Sequence, residues 1–146
     1  MYAPLLHLHH YTGYAVLLAG LYAITKSALG VMHKRDFTKQ ENIAHAIFLG
    51  TCHLQLLLGL ILYFISDKVN AAFQIGMSEA MKNPELRFVA VEHISIMIIA
   101  VVLVQVGRII SKKQADAAAK HKKALVFFTI GFVLILSRVP WDKLTN

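Results

Sequence analysis

The chain has little of what most soluble proteins carry on their surfaces. Only 16% of its 146 residues are charged, and only 8 are acidic. No Lys, Arg, Asp or Glu precedes Lys26, and none occurs from Ile43 to Ile65. The single cysteine, Cys52, excludes an intrachain disulfide framework. The first apolar run has no basic residue ahead of it and no small-residue cleavage site behind it, so it reads as a retained helix and not a cleaved leader. A nucleotide-binding glycine loop, a catalytic triad and a ligand-rich metal motif are all missing, which argues against an independent enzyme. No repeat, low-complexity tract or second domain interrupts the chain.

What is abundant is apolar surface. Hydrophobic residues make up 57% of the sequence, more than a soluble domain of this size needs, because a small globule leaves much of its chain facing water. Four apolar runs, at about 5–25, 43–65, 88–107 and 122–140, approach or exceed the roughly 20 helical residues that cross a hydrocarbon core. The uninterrupted apolar part of the fourth, residues 124–137, is short. Lys122 and Lys123 at one end and Arg138 and Trp141 at the other extend its reach by snorkelling and aromatic anchoring. Backbone amides in lipid must be paired within the segment, so the spans are helices. The expected fold is an all-α, integral membrane up-down four-helix bundle, a single domain over residues 1–146.

Ten of the fifteen basic residues fall in two loops: Lys26, Lys34, Arg35 and Lys39 between spans 1 and 2, and Arg108, Lys112, Lys113, Lys120, Lys122 and Lys123 between spans 3 and 4. The positive-inside bias places both loops in the cytoplasm and both termini outside. The net charge of +7 is then a topology signal. It does not suggest nucleic acid, since the basic residues flank spans instead of lining a face with aromatics. In the outward loop, Val69, Ala72, Phe73, Met77, Ala80 and Met81 recur at helical spacing. Residues 68–82 therefore read either as an amphipathic helix on the membrane surface or as a loop capping the bundle.

Imidazoles inside hydrocarbon are costly unless something binds them. His9 shares a helical stripe with Gly13, Val16, Gly20, Ala23 and Ser27, and His93 one with Ala90, Met97, Ala100, Val104 and Gly107. Each lies four or five residues inside the outer onset of its span, a depth of roughly 6–8 Å. Spans 1 and 3 are parallel and diagonal in an up-down bundle, so the two imidazoles reach one level of the core. Two axial nitrogens above a slot of small residues are what a six-coordinate haem b requires. Either histidine alone reads equally as an interfacial or hydrogen-bonding residue.

The other histidines carry less. His10 lies above Tyr14, Leu17 and Leu21, a bulky face suited to lipid, and His7 points elsewhere on the helix. His53 sits about 18 Å from the outer end of span 2 and reads as a hydrogen-bonded core residue. His33, His45 and His121 read by default as solvated or interfacial, with a second ligand set as the minority alternative. Glu92 is the costliest residue in a span and needs a partner or a proton. Arg138 reads as its ion-pair partner, with a role beside a ligand imidazole or at a quinol site as the alternative. Arg87 and Arg138 are also candidates to hold haem propionates.

The strings "LLHLHHYTGYAVLL", "HLQLLLGLILYF", "MKNPELRFVAVEHISIM", "KHKKALVFF" and "RVPW" resemble a family of short bacterial four-span membrane proteins catalogued as cytochrome b-like. The resemblance spans nearly the whole chain. Its most specific element is the run that supplies Arg87, Phe88, Glu92 and His93, and the family's N-terminal Leu-His step falls on Leu8 and His9. The chain departs from the pattern just afterwards, with His10 and Gly13-Tyr14 where a serine and an Arg-aromatic pair are usual. The combined expectation is a multi-pass protein of the bacterial inner membrane, surrounded by lipid, that binds one haem b through His9 and His93. It would transfer electrons as a small respiratory or quinol-linked subunit, with a redox partner or larger membrane complex beside it and quinone as a second candidate cofactor. The competing expectation is a haem-free accessory or scaffold subunit of such a complex.

Overall fold

The computed structural model describes residues 1–144, which form helices and turns with no strand among them. In chain order the helices are α1 (Tyr2–Met32), α2 (Lys39–Ile65), α3 (Asp67–Ile75), α4 (Met77–Ala80) and α5 (Pro84–Arg87), a π-helical turn over Phe88–Glu92, then α6 (His93–Lys113), α7 (Ala117–Ser137) and α8 (Trp141–Leu144). Three stretches are long and apolar enough to cross a membrane: Tyr2–Met32, Lys39–Ile65 and Pro84–Lys113. The helix α7 has 21 residues, but Lys120, Lys122 and Lys123 occupy its first two turns.

Local chemistry explains where these helices start and stop. Thr38 and Glu41 form a capping box at the head of α2, in which the Thr38 hydroxyl and amide both meet the Glu41 carboxylate, and Lys26 lies 3.5 Å from that carboxylate. Asn83 caps α5 through the amides of Glu85 and Leu86, with Pro84 at the first helical position, where its missing N–H costs nothing. Asp116 caps α7 by accepting from Ala119 N at 2.7 Å. The fourth apolar run, expected to be helical to residue 140, stops at Ser137, because Pro140 disfavours helical backbone at Val139.

The surface segment combines the two expected readings, helical and capping. In place of one helix over 68–82 there are two, α3 and α4, separated by Gly76 at φ 90° and ψ 144°, a backbone conformation that only glycine adopts cheaply. Val69, Ala72 and Ala80 on the inner side are buried, and Ala72 and Ala80 pack with Ala90, so the segment covers the end of the helix layer. Phe73 and Ile75 remain more than half or half exposed on its outer side, at 56% and 50%.

The helix α1 packs against α2 and α7, and α6 packs against the same two, so α1 and α6 stand diagonally. Cross-links fix the antiparallel register of chain neighbours: Gln55 reaches the His9 carbonyl, Ser27 meets His45, and the Ser111 hydroxyl donates to the Lys120 carbonyl. The buried stripes, Val16–Gly20–Ala23–Ser27 on α1 and Ala100–Val104–Gly107 on α6, are those the sequence spacing indicates. In the middle, Phe48 and Phe128 are fully buried edge to face, with centroids 5.3 Å apart, a geometry that adds to the close packing on which helices in lipid depend.

Two histidines expected to be solvated or interfacial are instead in the core. His45 is 1% exposed and His121 0%. His45 Nε2 meets Ser27 Oγ at 3.0 Å, while His121 Nε2 donates to the carbonyls of Arg35 at 3.0 Å and Asp36 at 3.3 Å, tying the 33–38 loop to α7. Phe37 sits between the two rings, 5.3 and 5.4 Å away. Gly30 permits this closure, since a Cβ there would overlap the His121 ring. His53 is displaced in the opposite sense: expected in the core, it is exposed.

Candidate functional site

At the end of the helix layer that carries the N-terminus, the helices diverge around a cavity of ≈ 420 Å³. Val16, Leu17, Leu56, Leu62, Met97, Val101 and Ile135 make its wall mostly apolar, and a few polar groups (His9, His10, Gln55, Tyr63, His93) project into or border it. This is the usual make-up of a small-molecule site: an apolar chamber with a small number of directional groups. The C-terminal segment roofs it with Val139, Pro140, Lys143 and Leu144.

His9 and His93 meet across this cavity, with ring centroids 6.4 Å apart and planes at 71°. A metal bound by two opposed imidazoles, with each metal–nitrogen bond about 2 Å long, would hold the ring centroids about 6 Å apart. The observed centroid separation is close to that value. One nitrogen of the His93 ring is engaged by the backbone. Its Nδ1 donates to the Arg138 carbonyl at 2.7 Å, which fixes the tautomer and leaves Nε2 with a free lone pair. His9 Nδ1 is buried without a hydrogen-bond partner. An orphaned imidazole nitrogen in an apolar wall marks a polar group whose satisfaction the protein fold does not supply.

Several elements place these rings. The π-helical turn ends immediately before His93, and the Tyr63 hydroxyl donates to the Ala90 carbonyl within it at 2.9 Å, satisfying a carbonyl that the widened turn presents. Such turns recur at functional sites because one extra residue re-aims the side chains that follow. On the other wall Gln55 bridges α2 to α1: its Nε2 donates to the His9 carbonyl at 2.8 Å, and its Oε1 accepts from Thr12. Gly59 leaves the His9 ring its space, since a Cβ there would stand 3.1 Å from His9 Cε1.

The charged residues keep the expected Glu92–Arg138 ion pair and add a closer partner to it. Glu92 pairs first with Arg87, Oε1 to Nε at 2.7 Å, and Arg138 Nε is a more distant partner at 3.8 Å from Oε2. Arg87 also donates to the Met81 carbonyl at 2.8 Å, and Arg138 Nη1 to the Ser137 carbonyl at 2.9 Å. None of Glu92, Arg87 and Arg138 lines the cavity. The group expected to hold propionates, or to buffer a ligand imidazole, instead forms an ion-pair cluster that fastens the loop before α6 to the end of α7. The acceptor for His93 is a main-chain carbonyl. His10, expected to face lipid, is half-buried at the cavity edge with its ring 6.5 Å from His9, and His7 is exposed.

No family model matches the chain, and neither a curated protein nor a solved structure does. The site must be read from its own geometry. Among the described residues no group of three or more His, Cys, Asp or Glu side chains converges as a closed zinc site would require. A haem asks less of the protein: its macrocycle supplies four nitrogens, and two axial side chains complete the set.

Gln55, Gly59, Tyr63 and Lys143 escaped the sequence reading. A neutral amide inside a chargeless apolar run was a usable signal for Gln55, because an unsatisfied amide in lipid is as costly as an unpaired imidazole. Nothing local in the sequence announces the π-helical turn.

Proposed function

We propose that the chain is a four-span integral protein of the bacterial inner membrane, with both termini outside, and that it binds one haem b through His9 and His93 as an electron-transfer subunit of the cytochrome b-like kind. The observation that carries this reading is the meeting of the two histidines across an apolar cavity at 6.4 Å. Haem supplies reversible one-electron chemistry when bound. The chain's own residues supply the rest. His93, oriented by the Arg138 carbonyl, presents Nε2 as a stronger donor than a free imidazole. Gln55 holds the His9 segment of α1 against α2, and the apolar wall keeps water from the ligand nitrogens. A single site at one end of a core about 30 Å thick cannot by itself pass charge across the membrane, so a redox partner or larger complex belongs to the reading.

Visible spectra of variants purified in detergent test it. His9→Ala and His93→Ala should each abolish low-spin haem, whereas His53→Ala, which changes an exposed side chain, should retain it. Loss of haem in His53→Ala with retention in His9→Ala would refute the assignment. A folded, haem-free wild-type protein would favour the accessory-subunit reading instead.

A further inference from the structure

The cavity has an unbalanced charge at its mouth. No carboxylate lines it among the described residues, and apart from histidines its ionisable cations are Lys68 and Lys143. The Lys68 ammonium is paired with Glu85. The Lys143 side chain makes no hydrogen bond or ion pair among the described residues. Its backbone is held in place over the site. The Tyr14 hydroxyl donates to the Leu144 carbonyl at 3.2 Å, Lys143 N donates to the Pro140 carbonyl at 2.9 Å, and the Arg138 carbonyl accepts from His93. The chain thus carries an ammonium without a partner among the described residues to the rim of an apolar chamber and anchors it to both histidine-bearing helices.

That arrangement suits a ligand with an apolar body and an ionised acidic group. The body can fill the chamber, but a carboxylate cannot follow it without a large desolvation cost and must stay at the mouth beside a cation. The arginines are engaged with Glu92 and lie off the cavity wall. We propose that Lys143 is the carboxylate-binding residue of this site and holds a propionate of the haem by a charge-assisted hydrogen bond. The proposal rests on the haem reading and adds to it the residue that orients the macrocycle at the rim.

The test compares haem with its dimethyl ester, which has the same ring and iron but no ionised propionates, titrated into the full-length apoprotein in detergent. Wild-type protein should prefer the diacid by roughly 2- to 5-fold at low salt and less at high salt, as expected of a solvent-accessible charge pair. Lys143→Ala should erase that preference and Lys143→Glu should reverse it, with affinity for the ester and the low-spin spectrum unchanged. Lys82→Ala, which alters an exposed lysine paired with Glu79, should keep the preference. An undiminished preference in Lys143→Ala while haem still binds would overturn the assignment alone. Failure of the wild-type chain to bind either compound would overturn the haem reading and the assignment with it.

Discussion

Replacing Glu92 by Gln removes a charge and little else, and the structure sets the size of the effect. The carboxylate lies 2.7 Å from Arg87 Nε and 3.8 Å from Arg138 Nε, and the three side chains are 32–40% exposed. Gln retains an oxygen for Arg87, so the hydrogen bond survives and the loss is electrostatic. A fully exposed pair would contribute up to about 1 kcal/mol. Breaking a fully buried one costs about 3–5 kcal/mol, because a charge is stranded. With partial exposure and two arginines left unneutralised, a loss of about 1–2 kcal/mol is expected, seen as a lower melting temperature in thermal unfolding followed by circular dichroism. Arg87→Gln should cost more than Arg138→Gln, since Arg87 makes the shorter contact and also donates to the Met81 carbonyl. Because Glu92 does not line the cavity, the haem spectrum and potential of Glu92→Gln should match those of wild type. Unchanged stability with a shifted potential or slower reduction by quinol would refute the reasoning and return Glu92 to the redox site.

Three further outcomes concern the fold. Gly30→Ala would place a Cβ 2.5 Å from His121 Cε1 and Cγ, in a ring fixed by two carbonyls, and should destabilise by roughly 1–3 kcal/mol in detergent melts. The same change at Gly50, where a Cβ meets nothing within 4 Å, should stabilise by about 0.5–1 kcal/mol through lower backbone entropy in the unfolded chain. Reporter fusions should place the loops near residues 36 and 116 in the cytoplasm and the C-terminus outside. A cytoplasmic C-terminus would remove α7 as a fourth span.

The parts of this molecule that were readable in advance are those that repeat. Small-residue stripes at helical spacing identified the buried faces of α1 and α6, and equal depth along two parallel helices placed His9 and His93 at one level, where their rings lie 6.4 Å apart. Where the reading failed, the decisive feature was a single-residue event or a loop. His45 and His121 sit near helix ends, where an imidazole normally finds water, yet the 33–38 loop folds back and supplies carbonyls that bury His121, with Phe37 wedged between the rings. Gly76 breaks a pattern that hydrophobic spacing alone reads as one helix. The π-helical turn before His93 is equally invisible to hydrophobic spacing, and it ends at Glu92, whose pairing with Arg138 was legible while the closer contact with Arg87 was not. Lys143 lies beyond Pro140 in a tail whose course over the cavity depends on contacts with Tyr14 and His93, both distant in sequence.

The most direct test of the central claim is the visible spectrum of the purified wild-type protein, oxidised and then reduced, recorded beside His9→Ala after expression with ample haem supply. Wild type should show the sharp reduced bands of a six-coordinate low-spin haem at one haem per chain, and His9→Ala should lose them while remaining helical. A folded wild-type protein without those bands, or a His9→Ala variant that keeps them, would contradict the account.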